Sequence, residues 1–139
     1  MKKIITFSTG ETQKLAGELA KKFIDSGGVV ALIGELGAGK TTFAQGFAKG
    51  LGITEKIISP TFVLIREHQI PKSHRIFYHI DLYRLEEQNI KGTGIEEIFN
   101  NKENIVLIEW ADRLKELPEN TTIVKLANLS INSRQITFE

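Results

Sequence analysis

The segment Gly34-Glu35-Leu36-Gly37-Ala38-Gly39-Lys40-Thr41 lies between an apolar run and an amphipathic one, and that arrangement constrains the fold more than any other stretch of the chain. Val29-Val30-Ala31-Leu32-Ile33 has no polar interruption, as in a parallel strand buried on both faces. Thr42 to Leu51 places Phe43, Phe47 and Leu51 at i, i+4 and i+8, the spacing of a buried helix face. Gly52 stands where a helix-ending glycine belongs. The loop itself fits the pattern Gly, four residues, Gly-Lys-Ser/Thr. Glycines at these positions let backbone N–H groups turn inward and cradle phosphate oxygens. Strand, glycine loop and helix in that order put the phosphates on a helix N-terminus. Lys40 is then expected on the β- and γ-phosphates and Thr41 on Mg2+.

The remaining pattern predicts an α/β fold of the P-loop NTPase type, a mixed sheet with a parallel core and antiparallel additions, flanked by helices. Lys3 to Phe7 reads as a short strand. Ser8 and Glu11 have capping-box spacing before a helix whose apolar face combines Leu15, Leu19 and Phe23 with Ala16, Ala20 and Ile24. Gly27-Gly28 ends it. The run from Phe62 to Gln69, a turn at Pro71 to Ser73 and the run from Arg75 to Ile80 form an expected hairpin. A short helix is expected over 94–99. Ile105-Val106-Leu107-Ile108 is a second continuous apolar strand. Leu114 and Leu117 suggest a helical turn stopped by Pro118, and 121–126 and 134–138 read as closing strands.

With 139 residues, one domain over 1–139 is expected. The net charge of +1 favours neither nucleic acid nor an acidic partner. Absence of cysteine excludes disulfides, thiolate metal sites and a cysteine nucleophile. Thr6, Ser8, Thr9 and Glu11 interrupt the apolar start, so it does not read as a signal peptide. No run approaches the ~18 apolar residues of a membrane span. A soluble, cytoplasmic protein with no membrane association is expected.

A phosphate loop needs carboxylates to complete a Mg2+ site, and acids at the C-terminal ends of neighbouring strands can supply them. Asp81 ends Ile76-Phe77-Tyr78-His79-Ile80, and Glu109 ends Ile105 to Ile108. A glutamate so placed can also orient or deprotonate an attacking water. Thr61, after Ser59-Pro60, has a hydroxyl suited to a nucleotide-ordered loop, although from these residues alone an ordinary proline-containing turn is the favoured reading. Trp110, the one tryptophan, either packs on the core or stacks near the nucleotide or a partner. His68, His74 and His79, with Arg66, Lys72, Arg75 and Arg84, read as a solvated basic hairpin; their spacings match no common metal-ligand pattern. Asn101-Lys102-Glu103 is followed by Asn104 and not Asp, so the guanine-associated pattern is not met and ATP is expected over GTP.

Gly-Glu-Leu-Gly-Ala-Gly-Lys-Thr-Thr from Gly34, Ser-Pro-Thr-Phe from Ser59, His-Ile-Asp-Leu-Tyr-Arg from His79 and Ile-Glu-Trp-Ala from Ile108 occur in this order. Together they resemble the TsaE (YjeE) family of small bacterial ATPases, which takes part in making threonylcarbamoyladenosine in tRNA. The resemblance runs from about Thr12 to the last strand. It implies a nucleotide site formed by Glu35, Leu36, Gly37, Ala38, Gly39, Lys40, Thr41 and Thr42. It further implies Thr12 near the base, Thr61 in a switch-like loop and Trp110 beside the pocket. Asp81 falls on the family's metal-site aspartate, and Glu109 on the acid needed for ATP hydrolysis. The implied cofactors are ATP and Mg2+. The implied partner is a TsaB–TsaD-type complex, with tRNA reached through it, and the implied hydrolysis is weak without that partner. Arg84 and Arg134 are candidate transition-state donors. The chain departs from the family pattern at Glu35, at Ile80, at Thr93-Gly94-Ile95, and at His68, where an aromatic residue is usual. A small metabolite kinase and a non-catalytic nucleotide sensor are the alternatives.

Overall fold

The computed structural model describes residues 2–34, 37, 39–55, 65–82 and 94–139. Its elements are β1 (Lys2–Thr6), α1 (Thr9–Ser26), β2 (Gly28–Gly34), α2 (Lys40–Gly50), β3 (Ile65–Gln69), β4 (Ile76–Asp81), α3 (Ile95–Asn100), β5 (Ile105–Glu109), a 3-10 turn (Ala111–Arg113), β6 (Thr122–Asn128) and β7 (Arg134–Phe138). The seven strands form one sheet in the order β1-β7-β6-β2-β5-β4-β3. β6, β2, β5 and β4 run parallel, while β7 and β1 at one edge and β3 at the other are antiparallel. This is the expected P-loop mixed sheet.

β2 and β5 lie at the centre of the sheet and are apolar along their length because both faces are covered. On one face Val30, Leu32, Ile105 and Leu107 pack under Phe43 and Phe47 of α2 and Ala16 and Ala20 of α1. On the other, Ala31, Val106, Ile108 and Ile80 meet Ile95 of α3 and Ala111. Helix α1 begins as the capping spacing predicts, with the Glu11 N–H donating to Ser8 Oγ at 3.1 Å. The reciprocal arm reaches one residue further back: Phe7 N–H donates to Glu11 Oε2 at 2.6 Å. Gly27, at φ 66°, caps the other end.

Two expectations are corrected. The turn after β5 comes earlier than Leu114 and Leu117 suggest: Ala111–Arg113 form the 3-10 turn, and Leu114 is already extended. Trp110 sets this by adopting a left-handed conformation, φ 59° and ψ 40°, immediately after the strand. The β3–β4 hairpin exists, and Lys72 and His74 are exposed as expected, but the rest of its described basic set is not a solvated surface. His79 is fully buried, and His68 and Arg75 are 9% exposed. His68 stacks on Phe77 with centroids 5.9 Å apart and so acts as the aromatic residue usual at its position. Arg75 donates to the carbonyl oxygens of Ile24 and Asp25 at 2.9 and 2.8 Å, neutralising the C-terminus of α1. No basic residue of α1's own last turn does this.

Candidate active site

Helix α2 starts directly from the glycine loop. Gly39 is its N-cap at φ 94°, and no side chain caps it among the described residues. An uncapped N-terminus presents N–H groups and positive dipole charge to an incoming anion. The next residue, Lys40, is 6% exposed. Its Nζ donates to the carbonyl oxygen of Gly34 and lies 3.7 Å from the centroid of the Trp110 ring. Burial lowers the Lys40 pKa, and the carboxylates of Glu109, Asp112 and Asp81 pull it back up. Thr41, half-buried, follows in the first turn of α2. Glu35, Leu36, Ala38 and Thr61 lie outside the described residues.

The strand-end acids are aimed by period and register. Phe77, His79 and Asp81 alternate onto the α2 face of β4, as Ile105, Leu107 and Glu109 do on β5. Parallel pairing sets Asp81 opposite Glu109, and Glu109 opposite Leu32 of β2. Asp81 and Glu109 are 6% and 2% exposed. Two residues before Asp81, on the same face of β4, His79 reaches diagonally, with Nε2 2.5 Å from Glu109 Oε2.

On the far side of the loop a cavity of about 270 Å³ opens between the N-terminus of α1 and that of α2. Phe7, Thr12, Gly39, Thr42, Ile131 and Arg134 are among the residues that line it. Thr12 is buried, its Oγ1 2.7 Å from that of Thr6. Arg134 is held by its Nη1 donating to the carbonyls of Ser130, Ile131 and Ser133, and a Cβ on Gly39 would stand 3.7 Å from its Nε. Arg84 lies outside the described residues.

The sequence profile described as "Threonylcarbamoyl adenosine biosynthesis protein TsaE" matches residues 6–136. The chain belongs to the TsaE family. A Bacillus subtilis protein named "tRNA threonylcarbamoyladenosine biosynthesis protein TsaE" is 39% identical over 96% of this chain and 82% of its own length. A Nostoc protein of the same name is 43% identical over 86% of this chain and 74% of its own. The crystal structure of YdiB from Bacillus subtilis superposes with a TM-score of 0.80 at 35% identity, covering 99% of this chain and 83% of that one.

In this TsaE-family chain the oxygen donors Thr41, Asp81 and Glu109 suit a hard cation such as Mg2+, which takes its other ligands from phosphates and water. Among the described residues, no group of three or more His, Cys, Asp or Glu is arranged to hold a metal without such help. Also among the described residues, no helix is long and apolar enough to cross a membrane. Residues at the site with no role assigned there from sequence are Asp112, Phe7, Ile131 and the Glu109 partner His79, which was read as part of the basic hairpin. His79 carried a usable signal, since it shares strand parity with Phe77 and Asp81. Phe7 and Ile131 carried none, because their proximity depends on β1 pairing with β7 across almost the whole chain.

Proposed function

We propose that the chain binds ATP with Mg2+ and hydrolyses it in the service of tRNA threonylcarbamoyladenosine biosynthesis, acting with a TsaB–TsaD-type complex. The observation that carries this reading is that strand register sets the buried carboxylates of Asp81 and Glu109 side by side, with the buried Lys40 opening α2 from the glycine loop. On this reading Lys40 leaves the Gly34 carbonyl to meet the β- and γ-phosphates. Thr41 and Asp81 hold the cation. Mg2+, when bound with the nucleotide, screens phosphate charge and polarises the γ-phosphoryl group. Glu109 accepts a hydrogen bond from the attacking water and aligns it with the γ-phosphorus. The cleft lined by Thr12 and Thr42 takes the nucleoside end.

The test is Glu109→Ala. Trp110, the sole tryptophan, sits against Lys40, so its emission reports nucleotide binding. The variant is expected to bind ATP as the wild type does and to lose turnover by roughly 100-fold or more, together with support of tRNA modification. Wild-type turnover by the variant, assayed with the partner complex, would remove Glu109 from the mechanism. A phosphorylated metabolite in place of inorganic phosphate would make the protein a kinase.

A further inference from the structure

His79 is unusual for a core residue. It is fully buried on the α2 face of β4. Its ring lies nearly parallel to Phe77, centroids 6.3 Å apart, and Phe77 in turn packs against Phe47 and His68. A phenylalanine would serve that packing without burying polar nitrogens. The ring's Nδ1 is buried and has no hydrogen-bond partner among the described residues. An unpaired buried nitrogen is destabilising, so packing alone does not account for an imidazole here. The other nitrogen does account for it. Nε2 is 2.5 Å from Oε2 of Glu109, a carboxylate that is itself 2% exposed. An ionised carboxylate only accepts, so Nε2 is the nitrogen that donates to it, while Nδ1 meets no partner among the described residues.

We infer that His79 is a positioning residue for Glu109: from the floor of the site its Nε2–H fixes one carboxylate oxygen and leaves the other to serve the reaction. The aromatic packing fixes the imidazole, and the imidazole fixes the carboxylate. Glutamate has three rotatable side-chain bonds, and a donor held on one carboxylate oxygen narrows the rotamers open to Glu109. The inference rests on the reading of Glu109 as the water-aligning acid, and it assigns to β4 a second duty beyond carrying Asp81.

The test compares His79→Phe, which keeps a flat ring and removes the donor, with His79→Gln, which returns an N–H near the Nε2 position. His79→Phe is expected to lower kcat by about 10- to 100-fold, the range typical of partners that orient a functional ligand. KM and the ATP dissociation constant read from Trp110 emission should stay within about threefold. His79→Gln should recover most of kcat. Wild-type kcat in His79→Phe overturns the inference. So does equal loss in both variants, which would mark a packing role. A second measurement does not depend on turnover or on either variant folding. Nitrogen-15 shifts of the His79 ring in the nucleotide-free wild type should show Nε2 protonated, whatever the state of Nδ1, and a bare Nε2 overturns the inference. If the wild type binds ATP but hydrolyses none with its partner, the ATPase reading fails while the protonation of Nε2 still decides whether His79 holds Glu109.

Discussion

Where Gly46 faces Gln13 and Gly50 faces Gly17, helices α1 and α2 meet through backbone, and one substitution measures how tightly. A Cβ on Gly46 would stand 2.4 Å from both the Cα and the carbonyl oxygen of Gln13. Carbon atoms in contact sit about 3.5–4.0 Å apart, so Gly46→Ala must part the helices by on the order of 1 Å. Both sides of the contact are backbone, and no rotamer change relieves it. Overpacking of this kind costs up to about 3 kcal/mol. Alanine returns about 1 kcal/mol of helix propensity, which leaves a net loss of about 2 kcal/mol, or a fall of about 6 °C in Tm. Gly10→Ala is the control: Gly10 is exposed in the first turn of α1, and its nearest neighbour would be Ser8 Oγ at 3.9 Å. The same chemical change there should leave Tm unchanged or slightly raised. Because the cleft between Thr12 and Thr42 spans the two helices, parting them should also weaken nucleotide binding by about tenfold if 1.4 kcal/mol of the strain reaches the site. Thermal unfolding and a binding titration on both variants decide the matter. A Gly46→Ala protein as stable as the wild type would refute the close approach of the helices.

Two further predictions concern the opposite end of the sheet. Arg75→Lys should lose about 2–4 kcal/mol in denaturant unfolding, because an ammonium cannot replace the guanidinium bonds to Ile24, Asp25 and the Glu103 carbonyl at once; a loss below about 0.5 kcal/mol contradicts a capping role. The second concerns acid. His74's hydrogen bond first, and the Arg75 charge second, hold the Glu103 carboxyl below its ordinary pKa of 4.5. A folded-state pKa below the unfolded one contributes stability above the ordinary carboxylate range and loses it as pH falls through the lowered value. The Tm advantage of wild type over Glu103→Gln should therefore be widest near pH ~6 and narrow below pH ~4, and an advantage that grows on acidification would reverse the assigned sign.

The unbroken apolar runs of β2 and β5 were legible because strands covered on both faces need no alternation, and the glycine loop because few other sequences turn a strand into a helix this way. Asp81 and Glu109 were legible as strand ends. The hairpin was legible as a pairing but not as an environment. Charge and histidine content suggested solvent, whereas β4 is paired on both sides, with β3 and β5. Ile76-Phe77-Tyr78-His79-Ile80 does carry the warning, since it is apolar or aromatic at both parities, as befits an interior strand. Arg75 was read as surface charge because its acceptors, the last carbonyls of α1, lie about fifty residues upstream. Local pattern reports which residues share a face; it does not report what covers that face.

That distinction bears on how the candidate site is specified. The side-chain period of a strand is two, so a slip of one residue between β4 and β5 would send every side chain of one strand to the opposite face. Asp81 and His79 would then point toward α3 while Glu109 stayed under α2, and Lys40 would face one carboxylate fewer. What prevents the slip is apolar: Phe77 and Leu107 are both fully buried in the layer under α2, and Ile80 and Ile108 in the layer opposite. Moving β4 by one residue would place His79 and Asp81 among the side chains of the second layer, and moving β5 would do the same to Leu107 and Glu109. The residues most readily recognised as core are thus the ones that aim the acids, and the energy that sets the geometry of the site is the burial of Phe77, Ile80, Leu107 and Ile108.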